Sequence, residues 1–501
     1  MGCLFQLCLR SAVLCVIVAA GIASAQSPAP ATMPAEGRRE TVLFPFDERT
    51  IPLNKGLILT LLPGAKAQPI LLPGPPGSPD ERRIYLPGSV IKVGDEYRMW
   101  YAGYSKDAKR QLCYAVSKDG LKWDRPALGL VEFNGNKQNN LLAINGDKPM
   151  VALTCLVLYE PDAADPARRF KMAREISPEN SVKVAFSADG LSWTPAADDK
   201  FVVKTEPSGL IKRNGVYYLN GHGRPVPHPI PTRGTMHPFK RMMVTHISYD
   251  FENWTEAGAM SFRRDDLPPR PQRDYDFHRG PQVHLGASVW DRGNVVLGFY
   301  GMYDNPTNDR RESYCDIGLL VSDDAMHFKE PLPDFKIVPG FEELDRGEPR
   351  IVQATTLNMG EQTVHYYGIW TEWNRDSPTG VRAATWPRDR FGFFSAALGV
   401  KDAHFISDLI TPTRDARVYL NVTGLGEHST LTVEVLDEQL RPLPGYAARD
   451  FLPITESAGL RMPVEWKGRE TIGDPGRPIR IRVNWGGMRP EDLRLYTVYV
   501  E

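Results

Sequence analysis

Between residues 80 and 400 the chain runs in short stretches where apolar and polar positions alternate, each closed by Gly, Pro, Asn or Asp. Alternation with period two marks strands with one face buried. Gly88-Ser-Val-Ile-Lys-Val93, Tyr97-Arg-Met-Trp-Tyr-Ala-Gly103 and Gln111-Leu-Cys-Tyr-Ala-Val-Ser117 read as consecutive strands, with a fourth near Lys122-Trp123. Asn214-Gly215, between Gly209-Leu-Ile-Lys-Arg213 and Val216-Tyr-Tyr-Leu-Asn220, is a two-residue hairpin signal. No long stretch in this region has the helical period, so an all-β chain is predicted.

The strands repeat. Cys113-Tyr-Ala-Val-Ser-Lys-Asp-Gly-Leu-Lys-Trp123 is followed by Val184-Ala-Phe-Ser-Ala-Asp-Gly-Leu-Ser-Trp193 and Thr245-His-Ile-Ser-Tyr-Asp-Phe-Glu-Asn-Trp254. Gly318-Leu-Leu-Val-Ser-Asp-Asp-Ala-Met-His-Phe328 is a fourth copy, and Val381-Arg-Ala-Ala-Thr-Trp-Pro-Arg-Asp-Arg-Phe-Gly392 a degenerate fifth. The equivalent Ser or Thr positions are 117, 187, 248, 322 and 385, giving steps of 70, 61, 74 and 63 residues. That length suits a four-stranded sheet with long loops, which is one propeller blade. Asp and Gly make the turn and the aromatic folds back between sheets, so the motif reads as architecture rather than chemistry.

After residue 400 the blade signature stops. Arg417-Val-Tyr-Leu-Asn-Val-Thr423, Leu431-Thr-Val-Glu-Val-Leu436 and Leu493-Arg-Leu-Tyr-Thr-Val-Tyr-Val500 alternate cleanly, as in a β-sandwich. The predicted fold is therefore a five-bladed β-propeller over 41–400 followed by a C-terminal β-sandwich over 401–501. Residues 1–25 read as a secretory signal: Arg10, an apolar run too short to span a bilayer, then Ala23-Ser24-Ala25. Residues 26–40 are a Pro/Ala/Ser-rich lead-in. A secreted or periplasmic protein is expected, with no membrane attachment after cleavage.

Lys plus Arg total 60 against 61 for Asp plus Glu, which gives no electrostatic case for a nucleic-acid partner. Cys113, Cys155 and Cys315 remain after the signal, too few for a disulfide framework, and read as small buried residues on strands. No Cys/His spacing suggests zinc, so no metal site and no cofactor are expected. The architecture would accept a Ca²⁺ in its channel, but no ligand loop indicates one. Nothing in the pattern specifies an oligomer.

In a propeller the first strand of each blade lines the channel, so candidate chemistry is sought where each repeat begins. The first repeat offers Asp80, Glu81 and Arg82, the second Glu160 and Asp162, the third Glu206. The fourth offers Asp274, Asp276, His278 and Arg279, the fifth Asp345, Arg346, Glu348 and Arg350. His222, His228 and His237 fall in a Gly/Pro/His-rich stretch expected to be a loop, and Trp370 ends a strand of the fifth repeat. Carboxylates converging from different blades support glycosidic cleavage, one donating a proton to the leaving oxygen and another attacking or activating water. Glu206, Glu348 and Asp276 are the catalytic candidates. His278, Arg279, Asp345, Arg350, His222 and Trp370 are the substrate-binding candidates.

The five turns, Asn139-Asn140-Leu141 after Leu128-Gly129-Leu130, and Gly286-Ala-Ser-Val-Trp-Asp-Arg-Gly-Asn294 resemble exported bacterial proteins related to glycoside hydrolase families 32 and 43. The resemblance covers about residues 80–400, and the tail is similar too. It implies a five-bladed propeller acting on poly- or oligosaccharides with three acids from inner strands. The sequence departs from that pattern in the first repeat, where Tyr85-Leu-Pro-Gly-Ser-Val90 carries no carboxylate. A non-catalytic glycan-binding propeller is the second reading. A sialidase-like hydrolase is the third, although that fold needs six blades, an arginine triad and a Tyr–Glu pair.

Overall fold

A computed structural model describes residues 40–501, except 67–68, 177–180, 224–240, 265–279, 308, 310–311, 341–350, 370–379 and 474. The expected signal segment lies outside the described residues. The described chain is all-β and contains no α-helix.

Five antiparallel sheets follow one another along the sequence. The first contains Arg83–Val93, Glu96–Tyr104 and Arg110–Ser117. In place of a regular fourth strand, single bridges join Val116 to Asp124 and Cys113 to Leu141. The second sheet runs Cys155–Tyr159, Phe170–Ile176, Ser181–Ser187 and Ser192–Pro195, extended by Ala143–Ile144 and Lys148–Pro149. The third is Glu206–Arg213, Val216–Gly223, Met242–Ser248 and Trp254–Phe262. The fourth is Gln282–Asp291, Val296–Asp304, Tyr314–Ser322 and Lys336–Val338. The fifth combines Ile351–Met359, Gln362–Ile369 and Val381–Pro387 with an early strand, Ala65–Lys66, which pairs with Val381–Pro387. One sheet thus holds both ends of the repeat region.

The first strands of the sheets pack in cyclic order, one on two through four on five, and five on one. Each neighbouring pair of sheets shares its own apolar cluster. Trp100, Met172 and Trp193 join sheets one and two; Leu156, Leu219 and Phe251 join two and three. Ile211, Tyr300 and Leu320 join three and four, Phe299 and Tyr367 join four and five, and Met99 and Tyr366 join five and one. The three cysteines sit on these strands, buried and unbridged.

The repeated turn has one geometry. Ser117 Oγ accepts from Gly120 N–H at 2.8 Å, and Asp119 Oδ1 accepts from the N–H groups of Leu121 and Lys122 at 2.9 and 2.7 Å. The same set recurs at Ser187 and Asp189, Ser248 and Asp250, and Ser322 and Asp324. The Trp123 indole donates to Gly120 O at 3.0 Å, and Trp193 to Gly190 O at 3.1 Å. These carbonyls also take a donor from the preceding sheet: Tyr366 Oη reaches Gly120 O at 2.9 Å and Trp100 Nε1 reaches Gly190 O at 2.7 Å. The motif therefore both turns its own chain and fastens the neighbouring sheet.

The remaining strands form two sheets around one apolar core that includes Phe394, Leu420 and Val498 from one and Phe405, Val433 and Ile481 from the other. Thr41–Leu43, Leu53–Lys55, Leu57–Leu61 and Gly392–Ala396 belong to these sheets. The sequence reading put those residues with the repeat. Their strands are short and carry no motif, so only their pairing partners reveal where they belong.

The turn geometry is testable. Gly120 has φ +71°, and a Cβ there would lie 2.3 Å from Met359 Cε and 2.7 Å from Tyr366 Oη. Gly120→Ala is expected to cost about 2 kcal/mol or more in denaturant unfolding, combining left-handed strain with a clash. Ala325 holds the same place in the fourth copy at φ +62°. Ala325→Gly relieves strain but loses a buried methyl, and is expected to fall within about 1 kcal/mol of the parent.

Candidate functional site

At one end of the ring the first strands begin and the second strands finish; this end is called the mouth. Four first strands carry a register shift near the mouth: between Tyr85 and Ser89, Pro207 and Gly209, His284 and Ala287, and Gln353 and Thr356. A bulge of this kind re-aims the side chains beside it and frees strand N–H groups from the ladder. Side chains of the adjoining sheets take several of those groups up. Val90 N–H donates to Thr355 Oγ1 at 3.0 Å, Ala287 N–H to Asn220 Oδ1 at 3.0 Å, and Leu285 N–H to His222 Nδ1 at 2.8 Å. Gln353 Nε2 donates to the carbonyls of His284 and Gly286.

Glu206 opens the first strand of sheet three and pairs across the ladder with His222. Its side chain is 28 % exposed, and His222 Nε2 lies 3.6 Å from its Oε2. Because Nδ1 accepts from Leu285, the neutral imidazole carries its proton on Nε2, the nitrogen facing Glu206. Leu285 reaches this position with φ +61°, left-handed backbone that a branched side chain avoids, and Gly286 follows at φ +75°. The strain sits where it sets the imidazole tautomer. His222 was expected in a loop; it is instead in the strand Val216–Gly223, and the polar Gly/His composition hid that strand's end.

A second carboxyl joins Glu206. Glu175 stands near the end of the second strand of sheet two, only 2 % exposed, and receives a hydrogen bond from Thr154 Oγ1 at 3.3 Å. Burial first, and the charge of Glu206 second, push its pKa from 4.5 up to about 8, with Thr154 and Arg110 pulling the other way. At neutral pH it holds a proton while enclosed beside a second carboxyl group. Tyr85, on the first strand of sheet one, is also pushed up by burial, then by Tyr104, and further by Glu206 and Glu175. It packs against the apolar cluster formed by Leu285, Tyr303, Cys315 and Val352 of sheets four and five. The first strand of sheet one thus brings a phenol, not a carboxylate, to the mouth.

Other candidates fall elsewhere. Asp276, His278, Arg279, Asp345, Glu348, Arg350 and Trp370 lie outside the described residues, as do His228 and His237. Glu160 follows the first strand of sheet two, at the end of the ring opposite Glu206, where it binds Lys171, Lys212 and Tyr217. The sequence reading set that strand one segment too late, taking the inner strand to follow Glu160 when it precedes it. Asp80 is fully buried, accepting from Tyr101 Oη and Arg125 Nε at 2.8 Å each, which makes it a structural anchor. Among the described residues no cluster of three or more His, Cys, Asp or Glu could hold a metal ion. Glu175 has no signal in the sequence, because its strand, Phe170–Ile176, carries no motif and lies second in its repeat.

No family model matches this chain, and no curated protein matches it. Solved structures of glycoside hydrolases are similar to it. A glycosyl hydrolase from Bacteroides ovatus has 16 % identity and a TM-score of 0.40, covering 65 % of this chain and 94 % of its own. The catalytic domain of an α-L-arabinofuranosidase from Coprinopsis cinerea has 10 % identity and a TM-score of 0.41, covering 65 % and 97 %. An exo-β-1,3-galactanase from Phanerochaete chrysosporium has 10 % identity and a TM-score of 0.36, covering 83 % and 95 %.

The state of Glu175 gives a stability prediction. With its folded pKa raised, the native state holds more protons than the unfolded state between about pH 4.5 and 8. Its contribution to stability is therefore complete at low pH and falls as pH rises through that window. Glu175→Gln cannot ionise, so thermal unfolding from pH 5 to 9 should show the variant gaining on the parent as pH rises. A constant difference across the range would contradict the assignment.

Proposed function

We propose that the five sheets are the blades of a five-bladed β-propeller, that the two C-terminal sheets form a β-sandwich, and that the protein is an exported glycosidase. What supports the blade reading is the cyclic packing of the first strands and the early strand that completes the fifth sheet. The observation that carries the function is the pair Glu175 and Glu206 at the mouth, on adjacent sheets and in unlike environments. One carboxyl is enclosed and kept protonated near neutral pH; the other is partly open and faced by an imidazole N–H. A carboxyl kept protonated beside a second, more open carboxyl is what supports acid–base cleavage of a glycoside.

In this reading Glu175 gives its proton to the glycosidic oxygen as the bond from that oxygen to the anomeric carbon breaks. Glu206 serves the anomeric carbon, as nucleophile or as the base that takes a proton from the attacking water. Water supplies the new anomeric hydroxyl, and its remaining proton restores Glu175 or is released. His222 positions Glu206 through Nε2. The Tyr85 phenol, kept protonated by its surroundings, is a hydrogen-bond donor for the sugar or the leaving oxygen. The roles expected of Glu348 and Asp276 remain proposals alongside these. A glycan-binding protein without turnover is the second reading, favoured by Tyr85 standing where a first-blade acid was expected.

Glu175→Gln and Glu206→Gln are each expected to lower kcat/KM by about 10²- to 10⁴-fold on a glycan identified by library screening. Both variants retaining parental rates would remove this pair from the chemistry. Binding by the parent without release of reducing sugar would establish the second reading.

A further inference from the structure

The mouth carries three arginines stacked on tyrosine rings. Arg83 begins the first strand of sheet one, and its guanidinium carbon lies 5.4 Å from the ring centroids of both Tyr85 and Tyr104. Arg110 lies on Tyr104 as well, at 5.1 Å, and Arg241 lies 6.0 Å from the ring of Tyr303 in sheet four. None of the three has an ion-pair partner among the described residues. At the seam with the C-terminal sheets, by contrast, Arg292 is matched by Asp389 and Arg461 by Glu40 and Glu501.

The unmatched atoms on Arg83 are informative. Nε and Nη2 are both withdrawn from solvent and both lack a hydrogen-bond partner among the described residues. These two nitrogens share one edge of the guanidinium, and their parallel N–H bonds form the fork that grips a carboxylate in two places. Leaving such a pair unbonded in a partly dehydrated place costs free energy that a bound anion would recover. The two tyrosine rings hold the guanidinium by its faces, which fixes the direction of the open edge. Tyr85, under the Arg83 guanidinium, packs on the apolar cluster of sheets four and five at the same end. Arg83 begins the first strand of sheet one and Glu206 the first strand of sheet three, so the fork and the acids stand at the same end of the ring.

We propose that the mouth recognises an acidic glycan, with the carboxylate of a hexuronate unit held on the Nε/Nη2 edge of Arg83 and Arg110 adding to the positive field. This rests on the mouth being a glycan site and adds the class of sugar it takes. Charge neutralisation, not a sugar-specific hydroxyl pattern, is the source of the selectivity.

The test is calorimetric binding of the full mature chain to oligogalacturonate, oligoglucuronate and oligomannuronate, each paired with its methyl ester, and to a sulfated galactan oligosaccharide. The ester keeps the sugar and removes the charge. At least one acid is expected to bind 10-fold or more tightly than its ester, with a preference that shrinks as salt rises. Arg83→Met, which keeps the length of the side chain between the two rings, should abolish the preference. Arg83→Lys, which keeps the charge without the fork, should retain part of it, and serves alone if the Met variant does not fold. Equal binding of every acid and ester, or an undiminished preference in Arg83→Met, would overturn the proposal; so would tighter binding of the sulfated oligosaccharide than of any uronate. Turnover assays on the same panel separate the two readings. Acid-selective binding without cleavage removes the hydrolase and leaves the acidic site. Cleavage of neutral glycans with no acid preference does the reverse.

Discussion

Everything at the centre of this protein follows from one requirement: backbone N–H groups on the inner strands must find acceptors where the ladder ends. A strand interrupted by a bulge leaves some of those groups without a ladder partner, and a buried unpaired N–H costs as much as a lost hydrogen bond. Here the adjoining sheets answer it. Thr355 serves Val90, Ser89 serves Val157, Asn220 serves Ala287 and His222 serves Leu285. Packing alone would let neighbouring sheets slide; these bonds fix their height. Further out, the carbonyls of Gly120 and Gly190 do the same work through Tyr366 and Trp100.

The chemistry of the mouth is a consequence of that arrangement. His222 is there to satisfy Leu285, and in doing so its other nitrogen is obliged to present a proton to Glu206. Glu175 is enclosed because the ends of sheets two and three come close, and enclosure beside another carboxyl keeps it protonated. Strain at Leu285 is tolerated because three elements determine its position at once: the bulge, the His222 acceptor and the close approach of Gly221 to Gly286.

A second polar cluster ties the C-terminal sheets to the ring. Arg292, at the hairpin of sheet four, binds Asp389 and Glu40; Arg461 binds Glu40 and Glu501; Tyr499 Oη donates to Asp389 at 2.9 Å. Burial works to raise the pKa of Asp389, but the Arg292 guanidinium prevails and holds it below the ordinary carboxylate range. Asn294 and Val42 exchange two further bonds across the same seam. Such a cluster adds little net stability compared with an apolar contact, yet loss of one member strands the others without solvent. Its effect is to give the joint a single geometry.

Strand identity was legible in the sequence because alternation and turn chemistry are local: Asp119-Gly120 or Asn214-Gly215 permits few backbone paths whatever surrounds it. The five turns also marked the period, since the Ser, Asp and aromatic act within ten residues of one another. Glu206 was readable from its place at the start of a repeat. Glu175 was not, because an acid in the middle of an apolar strand looks the same whether it faces water or a second carboxyl. The placement of Thr41–Leu43 and Leu57–Leu61 in the far sheets, and of Glu160 at the far end of its strand, was not legible for the same reason: none carries a local signal of its partner. The sequence by itself determined which residues turn and which extend, since those choices are made between near neighbours. Only the tertiary structure decided which carboxyl keeps its proton and which arginine stacks between two tyrosine rings, because charge and solvation are set by residues brought together from distant parts of the chain.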